Sequence, residues 1–181
     1  MKEWIGYYKD ILSDKQSNEI ISIKDGWKQS TFSNHYKTKD DSTDRVVMDE
    51  LYISDNMIHY KDLFEAVKKT CNVYKDKVTY GKWFNPMKNT NFRVNRYGKG
   101  GFMSEHCDYI HHSHKQQWGY PCGSILFFLN DDYEGGEFII SDIVYKPKKN
   151  SAIIFPANFM FPHSVNKVEK GTRYSIITWL M

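Results

Sequence analysis

The sequence lacks long apolar runs. No segment of the 181 residues approaches the length of roughly 18 consecutive apolar residues that a membrane-spanning helix needs. The mean hydropathy is −0.64. No apolar segment near the start is typical of a signal peptide. We therefore expect no membrane contact and a cytoplasmic location.

Cysteine is scarce and charge is nearly balanced. The three cysteines are an odd number without the paired spacing of a zinc site or a disulfide framework. The 25 Lys and Arg residues against 22 Asp and Glu give a net charge of +3 without a long basic run, which disfavours nucleic acid as a partner. No Ser-His-Asp set stands out either.

The first half of the chain shows helical patterns. Ser13 is a plausible N-cap for a short helix that carries Ile20 and Ile21. From Tyr60, apolar residues recur at steps of three and four and predict an amphipathic helix. The apolar positions are Leu63, Phe64, Val67, Cys71 and Tyr74. Residues 30–44 are polar and turn-rich, which is typical of a surface loop.

The second half reads as short strands. The runs after Lys88 are NFRVNRY, GSILFFLN, GGEFII, SAIIFP and TRYSIITWL, separated by Gly, Asn, Asp and Pro. Several strands at this spacing favour a sandwich or jelly roll over alternating β and α units. We predict one α+β domain over residues 1–181, with a helix-rich N-terminal support (1–88) and a jelly-roll core (89–181).

The segment HCDYIHHSH, residues 106–114, contains a candidate metal pair. His106 and Asp108 lie at positions i and i+2, so both project to the same face of a strand. His163, in FPHSV, can lie on a neighbouring strand and complete a set of two imidazoles and one carboxylate. This set on one side of an ion is found in non-heme Fe(II) oxygenases.

Arg173 opens the last apolar strand and shares a face with Ser175, Ile177 and Trp179. An inward arginine in such a strand needs an anion. Its planar fork matches a carboxylate, and the Ser175 hydroxyl can add a donor. The alternative is an arginine at the strand edge with its head group in water.

Three stretches together resemble the prolyl 4-hydroxylase branch of the Fe(II)/2-oxoglutarate dioxygenases. They are FRVNRYGKGGFMSEHCD, SILFFLNDDYEGGEFII and SAIIFPANFMFPHSVNKVEKGTRYSIITWL, over roughly residues 90–181. The order is shared: Tyr-Gly-x-Gly-Gly, the His-x-Asp, a Leu-Asn-Asp…Gly-Gly-Glu turn, and an arginine ten residues after the second histidine. The combination is far more specific than any one motif.

The resemblance implies a double-stranded β-helix, the cupin-like jelly roll, with the N-terminal helices packed outside. It implies that His106, Asp108 and His163 bind iron and that Arg173 pairs with the distal carboxylate of 2-oxoglutarate, and these four form the expected catalytic set. Tyr97 matches the tyrosine that hydrogen-bonds the cosubstrate. We add Ser175 and Asn95, the latter because it shares a strand face with Tyr97 and Arg93.

The implied reaction is hydroxylation of a substrate C–H, most simply on a prolyl-type peptidyl residue. Oxygen is consumed, succinate and CO2 are released, and ascorbate is the expected reductant. Asp108 favours hydroxylation, since halogenating relatives replace this carboxylate with a small residue. The expected partner is a peptide, a protein or a small molecule.

The chain departs from this family pattern at three places. Phe127-Phe128 stands where several relatives have a second cosubstrate-contacting tyrosine, for which Ser175 or Thr178 could substitute. Met103 replaces an aromatic residue, and the last strand ends in Trp179-Leu180-Met181 instead of Trp-Ile-His. We place the last two changes on the substrate side.

Two other functions stay open. The same chemistry could act on nucleic acid, although demethylating relatives carry a second arginine in the final strand and TRYSIITWL has one. The chain could also be a non-catalytic cupin-like metal-binding protein. His111, His112 and His114 are expected in a polar rim or loop, and Cys107 is expected to point away from the metal.

Overall fold

A computed structural model of the protein describes residues 1–30, 45–108 and 120–181. Most of the predicted loop over residues 30–44 lies outside these ranges, as do His111, His112 and His114. The helices are α1 (Asp14–Ile21) and α2 (Tyr60–Lys77), with short 3-10 turns at Lys2–Trp4 and Gly81–Trp83. In the described ranges, neither helix is long and apolar enough to cross a membrane.

Both predicted helices are present. The Ser13 hydroxyl accepts a hydrogen bond from the backbone N–H of Gln16, whose side-chain carbonyl accepts one from the backbone N–H of Ser13 at 2.8 Å. This capping box fixes where α1 begins. The α2 stripe is buried at Leu63, Ala66, Val67, Thr70, Cys71 and Tyr74. Cys71 is a packing residue, as predicted.

The described residues contain three antiparallel sheets. The strands are β1 (Gly6–Tyr8), β2 (Lys28–Gln29), β3 (Val46–Val47), β4 (Asp49–Ile53), β5 (Phe92–Tyr97), β6 (Phe102–His106) and β7 (Gly123–Phe128). The chain continues through β8 (Glu134–Gly135), β9 (Phe138–Ile140), β10 (Ile143–Tyr145), β11 (Ala152–Pro156), β12 (His163–Val165), β13 (Val168–Lys170) and β14 (Arg173–Leu180). The large sheet has the order β1-β11-β7-β14-β5-β4-β2, the second has β10-β9-β12-β6-β3, and β13 pairs with β8.

The large sheet separates two hydrophobic clusters, as the two faces of a strand require. In β14, Ile176 and Leu180 pack with the helices on the outer face. Ile177 and Trp179 belong to the inner cluster with strands of the second sheet. The predicted jelly roll with external helices is therefore confirmed, and the face that carries Arg173 is the inner one.

The N-terminal segment supplies strands as well as helices. β1 pairs with β11, and β4 pairs with β5 in the large sheet, whereas β3 pairs with β6 in the second sheet. These pairings bring residues from the first 53 positions to both sheets of the jelly roll. The division at residue 88 stays a prediction.

The packing of α2 on the sheet gives a test of the outer core. Replacing Leu63, whose side chain is fully buried, with alanine should lower the free energy of unfolding by about 2–5 kcal/mol, since a cavity remains. Lys68→Ala on the exposed face of α2 is the matched control and should change it by less than about 0.5 kcal/mol. Urea unfolding measures both; equal losses would show that α2 does not pack as described.

Candidate active site

The pairing of β6 with β12 brings the two predicted histidines together. His163 is the direct cross-strand partner of His106, and Asp108 follows two residues after His106. The Nε2 atom of His106 lies 3.8 Å from Oδ1 of Asp108, and Nε2 of His163 lies 3.6 Å from Oδ2. One potential ligand atom from each residue lies within 4.8 Å of the other two.

The second nitrogen of each imidazole is held by the backbone. Nδ1 of His106 donates to the carbonyl of Ser104 at 2.9 Å, and Nδ1 of His163 donates to the carbonyl of Phe161 at 3.1 Å. Since a carbonyl can only accept, Nδ1 carries a proton in both rings. In each ring Nε2 is therefore the nitrogen that is directed to the site that Asp108 faces.

Burial and neighbouring charge set the protonation states. Burial, with a contribution from His163, lowers the pKa of His106 to about 4, so the ring is neutral near pH 7. Burial raises the pKa of Asp108, but His163, His106 and a hydrogen bond from Ser124 outweigh it and lower the pKa overall. A neutral imidazole and an ionised carboxylate are the forms that bind metals.

Ser124 is a residue of the site that the sequence analysis missed. Its hydroxyl donates to Oδ2 of Asp108 at 2.6 Å, and both side chains are buried. Such a bond fixes the orientation of a carboxylate ligand. The available signal was a serine within the otherwise apolar run GSILFF.

Arg173 lies inside the barrel and is 0% exposed. Its Nη1 donates to Oγ of Ser175 at 3.1 Å. Its Nε and Nη2 are buried, and no atom of the described residues meets the geometry of a hydrogen bond to either. An uncompensated buried charge costs several kcal/mol, so these two donors favour an anion as their partner.

Aromatic rings surround this guanidinium. The carbon Cζ of Arg173 lies 5.0 Å from the ring centroid of Tyr97 and 5.3 Å from that of Phe128. Burial raises the pKa of Tyr97 and Tyr133, although the charge of Arg173 lowers both to a smaller extent. Both phenols therefore stay protonated and can donate hydrogen bonds.

Tyr133 and Gly136 were not singled out by the sequence analysis. A Cβ on Gly136 would lie 3.1 Å from Cδ of Arg173 and 3.2 Å from Cε2 of Tyr133, and the residue has a φ of +64°. Glycine is thus required both by the backbone conformation and by the passage of the Arg173 side chain. The Gly-Gly of the LNDDYEGGE motif was the available signal.

The other predicted cosubstrate residues have different outcomes. Ser175 and Asn95 are buried cross-strand partners on the Arg173 face, and Oδ1 of Asn95 has no hydrogen-bond partner among the described residues. Thr178 was wrongly considered as a substitute for the missing tyrosine hydroxyl. Its side chain lies on the opposite face and donates to the carbonyl of Thr90 at 2.8 Å.

Cys107 and Met103 complete the comparison with prediction. Cys107 points away from the three-residue cluster, as expected, and its thiol donates to the carbonyl of Phe159 at 3.6 Å. Met103 was placed on the substrate side, and this stays a prediction. It is buried in the inner core, and its sulfur accepts a hydrogen bond from the hydroxyl of Tyr97 at 3.9 Å.

Comparison with known families identifies the second half of the chain. Residues 92–181 match the model of the 2OG-Fe(II) oxygenase superfamily. The chain belongs to this superfamily. The matched range contains β5 to β14 and every residue of the predicted site.

Curated relatives of this chain are hydroxylases of greater length. The chain is 32% identical over 102 residues to a PKHD-type hydroxylase of Delftia acidovorans, a match over 52% of the chain and 44% of that protein. It is 38% identical over 63 residues to human prolyl 3-hydroxylase 2, over 31% of the chain and 9% of the human protein. The chain thus covers less than half the length of these relatives.

Solved structures share the fold along nearly the whole chain. The viral collagen prolyl hydroxylase of Paramecium Bursaria Chlorella virus-1 has a TM-score of 0.71 at 16% identity and covers 98% of this chain and 95% of its own. A Trichoplax adhaerens prolyl hydroxylase in complex with a hypoxia inducible factor peptide has a TM-score of 0.69 at 17% identity, with coverage of 99% and 84%. At these identities the likeness concerns the fold.

The superfamily implies Fe(II), 2-oxoglutarate and O2, and the donor groups fit them. Two imidazoles and one carboxylate on one side of a site suit Fe(II) and leave other coordination positions open. The unpaired Nε and Nη2 of Arg173 suit one carboxylate of a dicarboxylic acid. The match to Fe(II) and the match to 2-oxoglutarate therefore both rest on metal-binding atoms and hydrogen-bond donors that this chain provides.

Removing the hydroxyl that orients Asp108 tests the candidate metal site. We expect Ser124→Ala to weaken binding of Fe(II) or Mn(II) about 10-fold to 100-fold, the usual effect of losing a hydrogen bond to a metal ligand. Anaerobic calorimetry measures the affinity. Ser151→Ala, a buried serine hydroxyl that donates to the carbonyl of Lys148, is the matched control; equal losses in both variants would contradict the assignment.

Proposed function

We propose that this protein is an Fe(II)- and 2-oxoglutarate-dependent dioxygenase that hydroxylates a C–H of a peptidyl residue, most simply a prolyl residue. The substrate C–H becomes C–OH, and 2-oxoglutarate becomes succinate and CO2. One oxygen atom of O2 enters the new hydroxyl group, and the other enters succinate. Ascorbate is the proposed reductant that keeps the iron in the Fe(II) state, and the cytoplasm is the proposed location.

The observation that carries this proposal is the buried guanidinium of Arg173 in the same barrel as the histidine and aspartate cluster, with Nε and Nη2 that no acceptor among the described residues satisfies. A structural metal site needs the three ligands but has no use for a buried arginine without a carboxylate. A reaction that consumes a dicarboxylic acid at the metal needs both. The energetic cost of several kcal/mol for an uncompensated buried charge favours the second explanation.

The residues divide into two groups in this proposal. His106, Asp108 and His163 would hold iron, which when bound supplies the redox chemistry that activates O2. Arg173 would bind the distal carboxylate of 2-oxoglutarate. Tyr97, Ser175 and Asn95 lie on the same inner face and would add polar contacts to the cosubstrate.

The apolar walls beside His163 would help to exclude water and other unwanted reactants from the candidate metal site. The rings of Phe138 and Phe155 lie with their centroids 5.6 Å and 5.0 Å from that of His163. Water-poor walls limit side reactions of a strong oxidant and leave the positioned substrate as the nearest C–H. This role requires no general base, since no carbon is deprotonated.

The names of the relatives support a peptidyl substrate. The curated relatives include prolyl 3-hydroxylase 2 and PKHD-type hydroxylases, and one solved neighbour is bound to a peptide. A small molecule as substrate and a non-catalytic metal-binding role are the alternatives. The complete set of His106, Asp108, His163 and Arg173 supports turnover over the non-catalytic role.

The test is succinate release by the purified chain with Fe(II), ascorbate, 2-oxoglutarate and a pool of proline-containing peptides. We expect Arg173→Gln to weaken 2-oxoglutarate binding at least tenfold, because a charge-assisted contact is lost.

We expect His163→Ala to lose Fe(II) binding while circular dichroism still shows the folded barrel, since only a ligand is removed.

Arg96→Gln is the matched control for Arg173→Gln, because it removes the same charge from the outer face of the sheet. It should leave 2-oxoglutarate binding unchanged. Fe(II) binding by the wild type without succinate from any pool, together with unchanged 2-oxoglutarate binding in Arg173→Gln, would favour the non-catalytic protein.

A further inference from the structure

A second arginine shares the inner face of the barrel. Arg93 lies in β5, two residues before Asn95 and four before Tyr97. Its cross-strand partners are Ile177 in β14 and Tyr52 in β4. None of the roles argued above uses this side chain.

Arg93 lies at the metal end of the barrel. Its Cζ is 5.4 Å from the ring centroid of Trp179, whose cross-strand partner is the Ser124 that holds Asp108. Arg173 pairs with Tyr97, which lies about 13 Å farther along β5 at 3.3 Å per residue.

The hydrogen-bonding capacity of Arg93 is poorly used. Its Nε is buried without a hydrogen-bond partner in the described part of the chain. Within residues 1–30, 45–108 and 120–181, its carboxylate partner is Glu50, whose Oε2 lies 3.6 Å from Nη1, which is too long for a hydrogen bond. The Arg93 side chain is 16% exposed, so it can be reached from outside the barrel, unlike Arg173.

Arg96 shows how this protein builds a structural arginine pair. It lies on the outer face of the same strand, and its Nε and Nη2 both donate to Oδ2 of Asp49, at 3.1 Å and 2.8 Å. The guanidinium also stacks on the ring of Trp27 at 4.3 Å. Arg93 has the stacking partner, Trp179, but no carboxylate of the described residues lies within hydrogen-bond distance of it.

We propose that Arg93 binds a carboxylate of the substrate beside the metal centre, and that the preferred peptide carries an acidic side chain close to the residue that is hydroxylated. This inference rests on the proposed function and names its substrate class. Glu50 faces the same guanidinium and competes for it, so it tunes the preference for acidic peptides.

The alternative source of the carboxylate is 2-oxoglutarate itself. The position of Arg93 favours the substrate. It is partly exposed at the metal end, whereas Arg173, Ser175 and Tyr97 form a fully buried group at the other end. A ligand that arrives after the cosubstrate can still reach Arg93.

The test uses the full chain loaded with Zn(II) and 2-oxoglutarate, so that binding is measured without turnover. The probes are two pools of blocked pentapeptides with a central proline. One pool carries a single Glu at each of the other positions in turn, and the matched pool carries Gln. We expect the wild type to bind the Glu pool about tenfold more tightly, as a charge-assisted contact allows, and Arg93→Gln to abolish this preference.

Three variants separate the explanations. Arg96→Gln removes the same charge from the other face and should keep the preference. Arg93→Lys, which keeps the charge, should retain part of it, and thermal melting of both Arg93 variants reports whether the fold is intact. Glu50→Gln should strengthen binding of the Glu pool, because the competing carboxylate is lost.

Each of the following results would contradict the proposal for Arg93 in a different way. Equal affinity of the wild type for both pools rejects the proposal. A loss of 2-oxoglutarate affinity in Arg93→Gln as large as that in Arg173→Gln assigns the carboxylate to the cosubstrate. Weaker binding of the Glu pool in Glu50→Gln makes Arg93 a structural partner of Glu50. Failure of the proposed function appears separately, as a wild type that does not bind 2-oxoglutarate.

Discussion

The site depends on the antiparallel register between β6 and β12. This register sets His163 directly opposite His106, and a one-residue slip would turn either ring to the other face of the sheet. The backbone carbonyls of Ser104 and Phe161 then hold the two Nδ1 atoms, so no additional side chain is needed to orient the rings.

The large sheet contributes the complementary half of the site. Its inner face carries Ser124 in β7 and Arg173 and Ser175 in β14, and the two sheets together enclose the space between them. A buried carboxylate costs free energy unless it is hydrogen-bonded or paired. Ser124 and the imidazoles stabilise Asp108, whereas Arg173 has one hydrogen bond, to Ser175, and its Nε and Nη2 have none among the described residues. Under the proposed function a metal would bind at Asp108 and the histidines, and an anion would bind at Arg173.

The features that the sequence predicted correctly are those that depend on residues close together in the chain. The Ser13 cap, the α2 stripe and the period-two alternation of β14 follow from neighbouring residues, and all three are present. Contacts that depend on register between distant strands were not accessible in this way. The bond from Ser124 to Asp108 and the approach of Tyr133 to Arg173 are of this kind. The short N-terminal strands contain two to five residues, too few for a clear alternation.

The arginines show that residue type alone does not predict the role of a side chain, because the role also depends on which face of the strand the side chain takes. Arg96, Arg93 and Arg173 carry the same group, yet alternation places Arg96 outside, where two hydrogen bonds to Asp49 satisfy it. Thr178 was misassigned for the same reason, since it follows Ile177 and takes the opposite face. Among the described residues, inward Arg173 has no carboxylate partner and inward Arg93 has only Glu50 at 3.6 Å, which is informative because solvent screens inward charges little. The inner face thus holds buried arginine donors that no acceptor of the described residues satisfies, and under the proposed function a ligand supplies the missing negative charge.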